Sequence, residues 1–215
     1  MRAAMGYDTA PMAMTLEVYA SDAEAFEAAA ALAAEHLRAA GARATVALAG
    51  GRSGRGVMVA LAARGDLPWE RVEWFWGDER CVPADDGRSN LRLARDSLLV
   101  PRGVAAARVH PPPVALGDPA RIAAAYAATL AAETEEHEEP RVARITLTPP
   151  VLAAARHVIV TAVGGEKAAA VAAAVADGAD PAGVPAALVR PSERVTWIID
   201  RAAASVLLRE ARPSQ

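Results

Sequence analysis

Short apolar runs alternate along this chain with longer alanine-rich stretches, and no other feature of the sequence restricts its fold so much. The runs are "TLEVYA" (Thr15 to Ala20), "TVALA" (Thr45 to Ala49), "VEWFW" (Val72 to Trp76), "ARITLT" (Ala143 to Thr148), "HVIVTAV" (His157 to Val163) and "VTWIID" (Val195 to Asp200). Strands alternating with helices at this spacing predict an α/β protein with a mostly parallel, Rossmann-like sheet covered by helices on both faces. Such sheets bind ligands in the crevice beyond the carboxyl ends of their strands.

Helix signals fill the intervals. Ser21 with Glu24 reads as a capping box before a helix ending near Gly41. Further helices are expected from about Arg55 to Arg64, from Ser89 through Leu98, from Asp118-Pro119 to about Glu133, after Pro149-Pro150, after Gly164-Gly165 and at the C-terminus. Residues 1–14 read as a flexible leader, 15–210 as one α/β domain and 211–215 as a tail. With 53% hydrophobic and 23% charged residues there is ample material for a core.

Charge and cysteine content exclude several function classes. A net charge of −3 argues against a dedicated nucleic-acid binder, while leaving room for a local basic pocket. A single cysteine, Cys81, excludes an internal disulfide framework and fits a reducing compartment. No run has the length of a membrane span, and no Cys/His cluster has zinc spacing. The expectation is a cytoplasmic protein without metal or membrane partner.

Four strand ends carry candidate chemistry. "AGGRSGRG", Ala49 to Gly56, places glycines between a strand and a helix, where backbone N–H groups and the helix dipole favour an anion. It is neither a Walker A loop nor a dinucleotide fingerprint, which leaves a small phosphorylated metabolite or a plain tight turn. "GDER", Gly77 to Arg80, follows a buried strand; Arg80 can fork onto phosphate or carboxylate, with Asp78 or Glu79 holding it or binding a hydroxyl. A surface salt-bridge set is the plainer alternative. Arg144 heads "ARITLT" either as an edge-strand solubility device or as a ligand contact, and Lys167 stands in a helix first turn, where the dipole disfavours a cation unless an anion lies beside it. Taken together, the four loops describe a pocket for phosphate and polyol.

With these segments in view, the chain resembles the 6-phosphogluconolactonases of the wider sugar-phosphate isomerase/deaminase superfamily. The resemblance rests on "LAGGRSG", "WFWGDERCVPADDGRSN", "RITLTPPVLAAARHV" and "VGGEKAAAV", and spans about Leu16 to Leu208. It implies hydrolysis of 6-phospho-D-glucono-1,5-lactone to 6-phosphogluconate without metal or organic cofactor. It also implies that Gly50, Gly51, Arg52, Ser53, Arg80, Arg144 and Lys167 surround the phosphate and the lactone oxygens, with Asn90 ordering the loop after Arg80. A monomer or homodimer acting on a small molecule is expected.

The resemblance has a gap. The family's general base is a histidine in a glycine-rich segment between the helix from Asp118 and the "RITLT" strand; here that place holds "ETEEHEEPRVA". The first loop also reads Gly-Gly-Arg-Ser-Gly rather than Gly-Gly-Ser-Thr-Pro. Three explanations are open: the sequence omits a stretch whose flanks are joined in it, the gene is shortened, or His137 serves as the base. His137 lies among Glu135, Glu136, Glu138 and Glu139, which favour its protonated form. His36, His110 and His157 have the setting of structural histidines. Two rival functions follow: a glucosamine-6-phosphate deaminase-like enzyme, and a sugar-phosphate-binding pseudoenzyme lacking the base.

Overall fold

Every apolar run forms a strand in the computed structural model, which describes residues 13–128, 132–136 and 142–210. The strands are β1 (Ala13–Tyr19), β2 (Ala44–Leu48), β3 (Val72–Trp76), β4 (Asp78–Arg80), β5 (Ala132–Glu136), β6 (Ala143–Leu147), β7 (Val158–Ala162) and β8 (Arg194–Asp200). The helices are α1 (Asp22–Ala39), α2 (Gly51–Ala62), α3 (Asn90–Ala94), α4 (Pro119–Ala127), α5 (Pro149–Ala153), α6 (Ala168–Val175) and α7 (Ser205–Glu210).

The last strand is the middle one of its sheet. β8 pairs in parallel with β1 on one side and β7 on the other, with Trp197 in register with Leu16 and with Val160. Successive side chains of a strand point to opposite faces, so β8 needs an apolar partner on each. Trp197 and Ile199 pack with Val171 and Ala174 of α6 and with Ala203 and Ala204. Ile198 packs the other way, with Ala25 and Ala29 of α1. Helices therefore cover both faces, as expected. β2 and β3 form a second parallel pair in which Leu48 stands beside Trp76.

α1 is held at its start by Ser21, whose Oγ accepts the Glu24 N–H at 3.2 Å. The Glu24 carboxylate turns back to the N–H of Ala20 at 3.3 Å, one residue earlier than a capping box requires. The buried face of α1 is Ala25, Ala29, Ala30, Ala34 and Leu37, small enough to bring the helix close to the sheet and to α2.

The structure differs from the sequence reading at three places. α2 begins at Gly51, not near Arg55, because Gly51 takes a φ of +73°, a turn that costs a glycine little and starts the helix immediately. Gly77 to Arg80 is not a loop: Asp78–Arg80 is β4, antiparallel to β6, with Arg80 opposite Arg144. The acidic stretch also contributes a strand, since β5 pairs antiparallel with the other side of β6, from Ala132 opposite Leu147 to Glu136 opposite Ala143. β6 is thereby paired on both sides. The parallel strands thus carry an antiparallel unit, β4-β6-β5, beside the place where β3 ends.

Candidate active site

The three charges after Gly77 have three separate tasks, set by the alternation of a strand. Glu79 points inward and is almost wholly buried, with 1% of its surface exposed. Its carboxylate accepts the N–H groups of Arg80 at 2.7 Å, Asn90 at 2.8 Å and Leu91 at 2.6 Å, and the Ser89 hydroxyl at 3.3 Å. Two of those N–H groups are the unpaired donors at the start of α3, so Glu79 fastens β4 to that helix. Burial pushes its carboxyl above the usual range, and the four donors oppose that rise.

Asp78 and Arg80 point the other way. Asp78 Oδ2 accepts from Arg144 Nη1 at 2.8 Å, which aims the β6 arginine. Arg80 is held by neutral oxygens: Nη1 donates to the Arg88 carbonyl at 3.0 Å and to Asn90 Oδ1. Asn90 Nδ2 in turn donates to the Asp78 carbonyl at 2.9 Å and its carboxylate at 3.1 Å. Neither acidic neighbour therefore neutralises Arg80 itself.

These groups open onto a cavity of about 340 Å³. α2 supplies Gly51, Arg52 and Arg55; β4 and β6 supply Arg80 and Arg144; the loop before α3 supplies Gly87, Arg88 and Ser89. Leu93 and Val142 complete the lining, which thus holds five arginines and no carboxylate among the described residues. Carboxylates lie just behind it. Asp22 meets Arg52 at 2.5 Å, and Asp86 grips Arg88 through Nε at 3.0 Å and Nη2 at 2.7 Å. That grip holds the Asp86 carboxyl well below the ordinary carboxylate range. A concave surface lined by one sign of charge concentrates counter-ions from solution.

Of the residues singled out from sequence, Gly51, Arg52, Arg80 and Arg144 line this cavity. Gly50 and Asn90 lie behind it against each other, and Asp78 and Glu79 support it as described. Ser53 is within the first turn of α2 but not in the lining, and Lys167 is exposed at the end of a turn before α6, also outside it. His137 is outside the described residues. Sequence reasoning missed Arg55 and Arg88. The first lies three residues after Arg52 on one helix, a spacing that places both on one side; the second follows Asp86 at the interval of an Asx turn, closed here by Arg88 N–H to Asp86 Oδ1 at 2.8 Å.

The chain matches the family described as glucosamine-6-phosphate isomerases/6-phosphogluconolactonase over residues 20–139 and 132–197. It is 34% identical over 221 residues to the 6-phosphogluconolactonase of Streptomyces coelicolor, covering 79% of this chain and 84% of that protein. The chain belongs to the glucosamine-6-phosphate isomerase/6-phosphogluconolactonase family. The Mycobacterium tuberculosis 6-phosphogluconolactonase is 32% identical over 212 residues, covering 77% of this chain and 85% of the relative. The solved 6-phosphogluconolactonase of Trypanosoma brucei superposes with a TM-score of 0.79 at 25% identity, over 91% of this chain and 99% of that one. A monomeric glucosamine-6-phosphate deaminase shares the fold, with a TM-score of 0.82 at 17% identity over 90% of this chain and 100% of that one.

The chain is shorter than the relatives it matches. The 221 positions aligned to the Streptomyces protein take up only 79% of 215 residues, so several dozen of them have no counterpart here. The two parts of the family match overlap at 132–139, the acidic stretch that includes β5. In this chain the overlap holds β5, paired to β6.

Proposed function

We propose that the protein hydrolyses 6-phospho-D-glucono-1,5-lactone to 6-phosphogluconate. The observation that carries the reading is the convergence of Arg52, Arg55, Arg80, Arg88 and Arg144 on one cavity at the start of α2, in a chain whose relatives are named for that reaction. The phosphate sits at the amino end of α2, near Gly50, Gly51, Arg52 and Ser53, where N–H groups and dipole favour a dianion. Arg80 and Arg144 face the lactone oxygens, Asn90 and Asp78 keep the two guanidinium groups aimed, and Lys167 contributes charge from outside the cavity wall. Metal and organic cofactors have no part in this reading. The protein works in the cytoplasm on a small molecule, as a monomer or homodimer; no helix among the described residues is long and apolar enough to cross a membrane.

The test is a coupled assay on freshly generated lactone, with the uncatalysed rate subtracted, run beside ammonia release from glucosamine 6-phosphate. Lactone loss above the blank without ammonia is the expected result. Ammonia release, or no turnover of either sugar, overturns the reading.

A further inference from the structure

The cavity presents two groups of cations, and they come from different parts of the fold. One belongs to α2: Arg52 and Arg55 stand in its first turns beside Gly51, where a helix start leaves N–H groups without partners inside the helix. The other belongs to the antiparallel unit. Arg80 of β4 and Arg144 of β6 are direct cross-strand partners, and residues so paired leave the sheet on one face. Asn90 stands between the two groups, with Oδ1 against Gly50 on one side and bonded to Arg80 Nη1 on the other.

Like charges set opposite each other in a sheet repel, and an anion shared between them turns that cost into attraction. The lactone and its hydrolysis product differ at this second group of cations. Both carry a phosphate for the α2 group. The lactone ring is neutral, however, whereas the ring-opened acid ends in a carboxylate. Hydrogen bonds from guanidinium to a carboxylate are charge-assisted and forked, and about twice as strong as those between neutral groups.

Resting on the lactonase reading above, we propose that the cavity is a two-anion site that holds 6-phosphogluconate more tightly than the lactone, so that the product inhibits the enzyme. The phosphate takes the α2 group, and the carboxylate bridges Arg80 and Arg144. The ligand class so selected is a sugar acid with a phosphate at its far end. Sustained turnover then depends on a following reaction that consumes the acid.

The experiment is titration calorimetry of the intact protein with 6-phosphogluconate and with glucitol 6-phosphate, which keeps the phosphate and carries a neutral hydroxymethyl group in place of the carboxylate. The parent is expected to bind the acid about tenfold more tightly. Arg80→Gln, melting as the parent does, brings the two affinities to within about twofold. Arg144→Gln carries the same test should Arg80→Gln melt early. Arg55→Ala weakens both ligands by a similar factor and leaves their ratio unchanged. Equal affinities in the parent overturn the inference, as does a ratio that survives both glutamine variants. In the lactone assay the acid is expected to compete with an inhibition constant below the KM of the lactone; a constant above it also overturns the inference. Turnover with equal affinities leaves the lactonase reading standing. Unequal affinities without turnover overturn that reading instead, and leave the two-anion site as a binding site.

Discussion

A Cβ placed on Gly50 would lie 1.8 Å from Oδ1 of Asn90 and 2.7 Å from its Nδ2. The start of α2 and the start of α3 are therefore in contact through a hydrogen where any other residue would carry carbon. The Asn90 amide so confined binds Arg80 with one atom and Asp78 with the other, so a glycine in one loop sets the arginine of another.

Gly50→Ala accordingly displaces the Asn90 side chain and frees Arg80. Gly50 has a φ of −93°, open to any residue, so the loss arises from the clash and not from backbone strain. Titration calorimetry should show 6-phosphogluconate binding weakened by about tenfold, with a stability loss of about 1–3 kcal/mol from overpacking. Retained affinity would remove Asn90 from the positioning of Arg80.

Glu79→Ala leaves the N–H groups of Asn90 and Leu91 without their acceptor. Each buried donor so stranded costs about 1–3 kcal/mol, so urea unfolding should show a loss of about 3 kcal/mol or more. Because burial raises the Glu79 pKa, the unfolded chain releases this proton first as pH rises. The group's contribution is therefore fullest below the ordinary carboxyl value and declines as pH climbs through the raised one. Glu79→Gln should flatten that decline.

Acid stability should depend on His157. Its Nδ1 lies 2.6 Å from Nε2 of His36 and its Nε2 lies 2.8 Å from Thr196 Oγ1, joining α1 to the approach of β7 and to β8. Burial first, then the neighbouring His36, lowers its pKa to about 4. The unfolded chain takes up this proton at the ordinary value, near 6.5. Stability present above that value is lost as pH falls toward 4. Melting temperatures between these limits should drop more steeply for the parent than for His157→Gln.

Arg55→Ala tests the charge of the cavity without touching its scaffold. Arg55 is exposed, and among the described residues no carboxylate lies within salt-bridge distance of it. Affinity for 6-phosphogluconate should fall by about threefold to tenfold, unfolding should be unchanged, and the decline of binding with added salt should be shallower than in the parent.

The parallel strands were legible because burial on both faces leaves continuous apolar runs, as in Val195–Ile199. β4 was hidden for a physical reason: its three residues are all charged, and its partner Arg144 lies 66 residues beyond Asp78, so pairing and not propensity makes it a strand. β5 was hidden in the same way, its backbone paired to the other edge of β6. The arginines at strand ends were visible singly. A shared pocket was expected from them together, but its construction was not legible, since the antiparallel turn of β6 against β4 is what carries Arg144 to the side of Arg80. Lys167 matched the same sequence pattern and stays outside the wall, because a motif fixes neighbours along the chain and not the direction of a side chain.

One buried hydroxyl has a further effect. Tyr126 Oη accepts the N–H of Trp76 at 2.9 Å and donates to the carbonyl of the same residue at 3.3 Å, while the N–H of His110 meets the Trp74 carbonyl at 2.8 Å. The outer margin of β3 is thus occupied by a phenol and a loop, and burial holds that phenol's pKa at about 12, so it stays able to do both across the range in which cells live. An exposed ladder of tryptophans would be a template for strangers to extend. Here the template is already taken up at Trp74 and Trp76, where a stranger would have to begin.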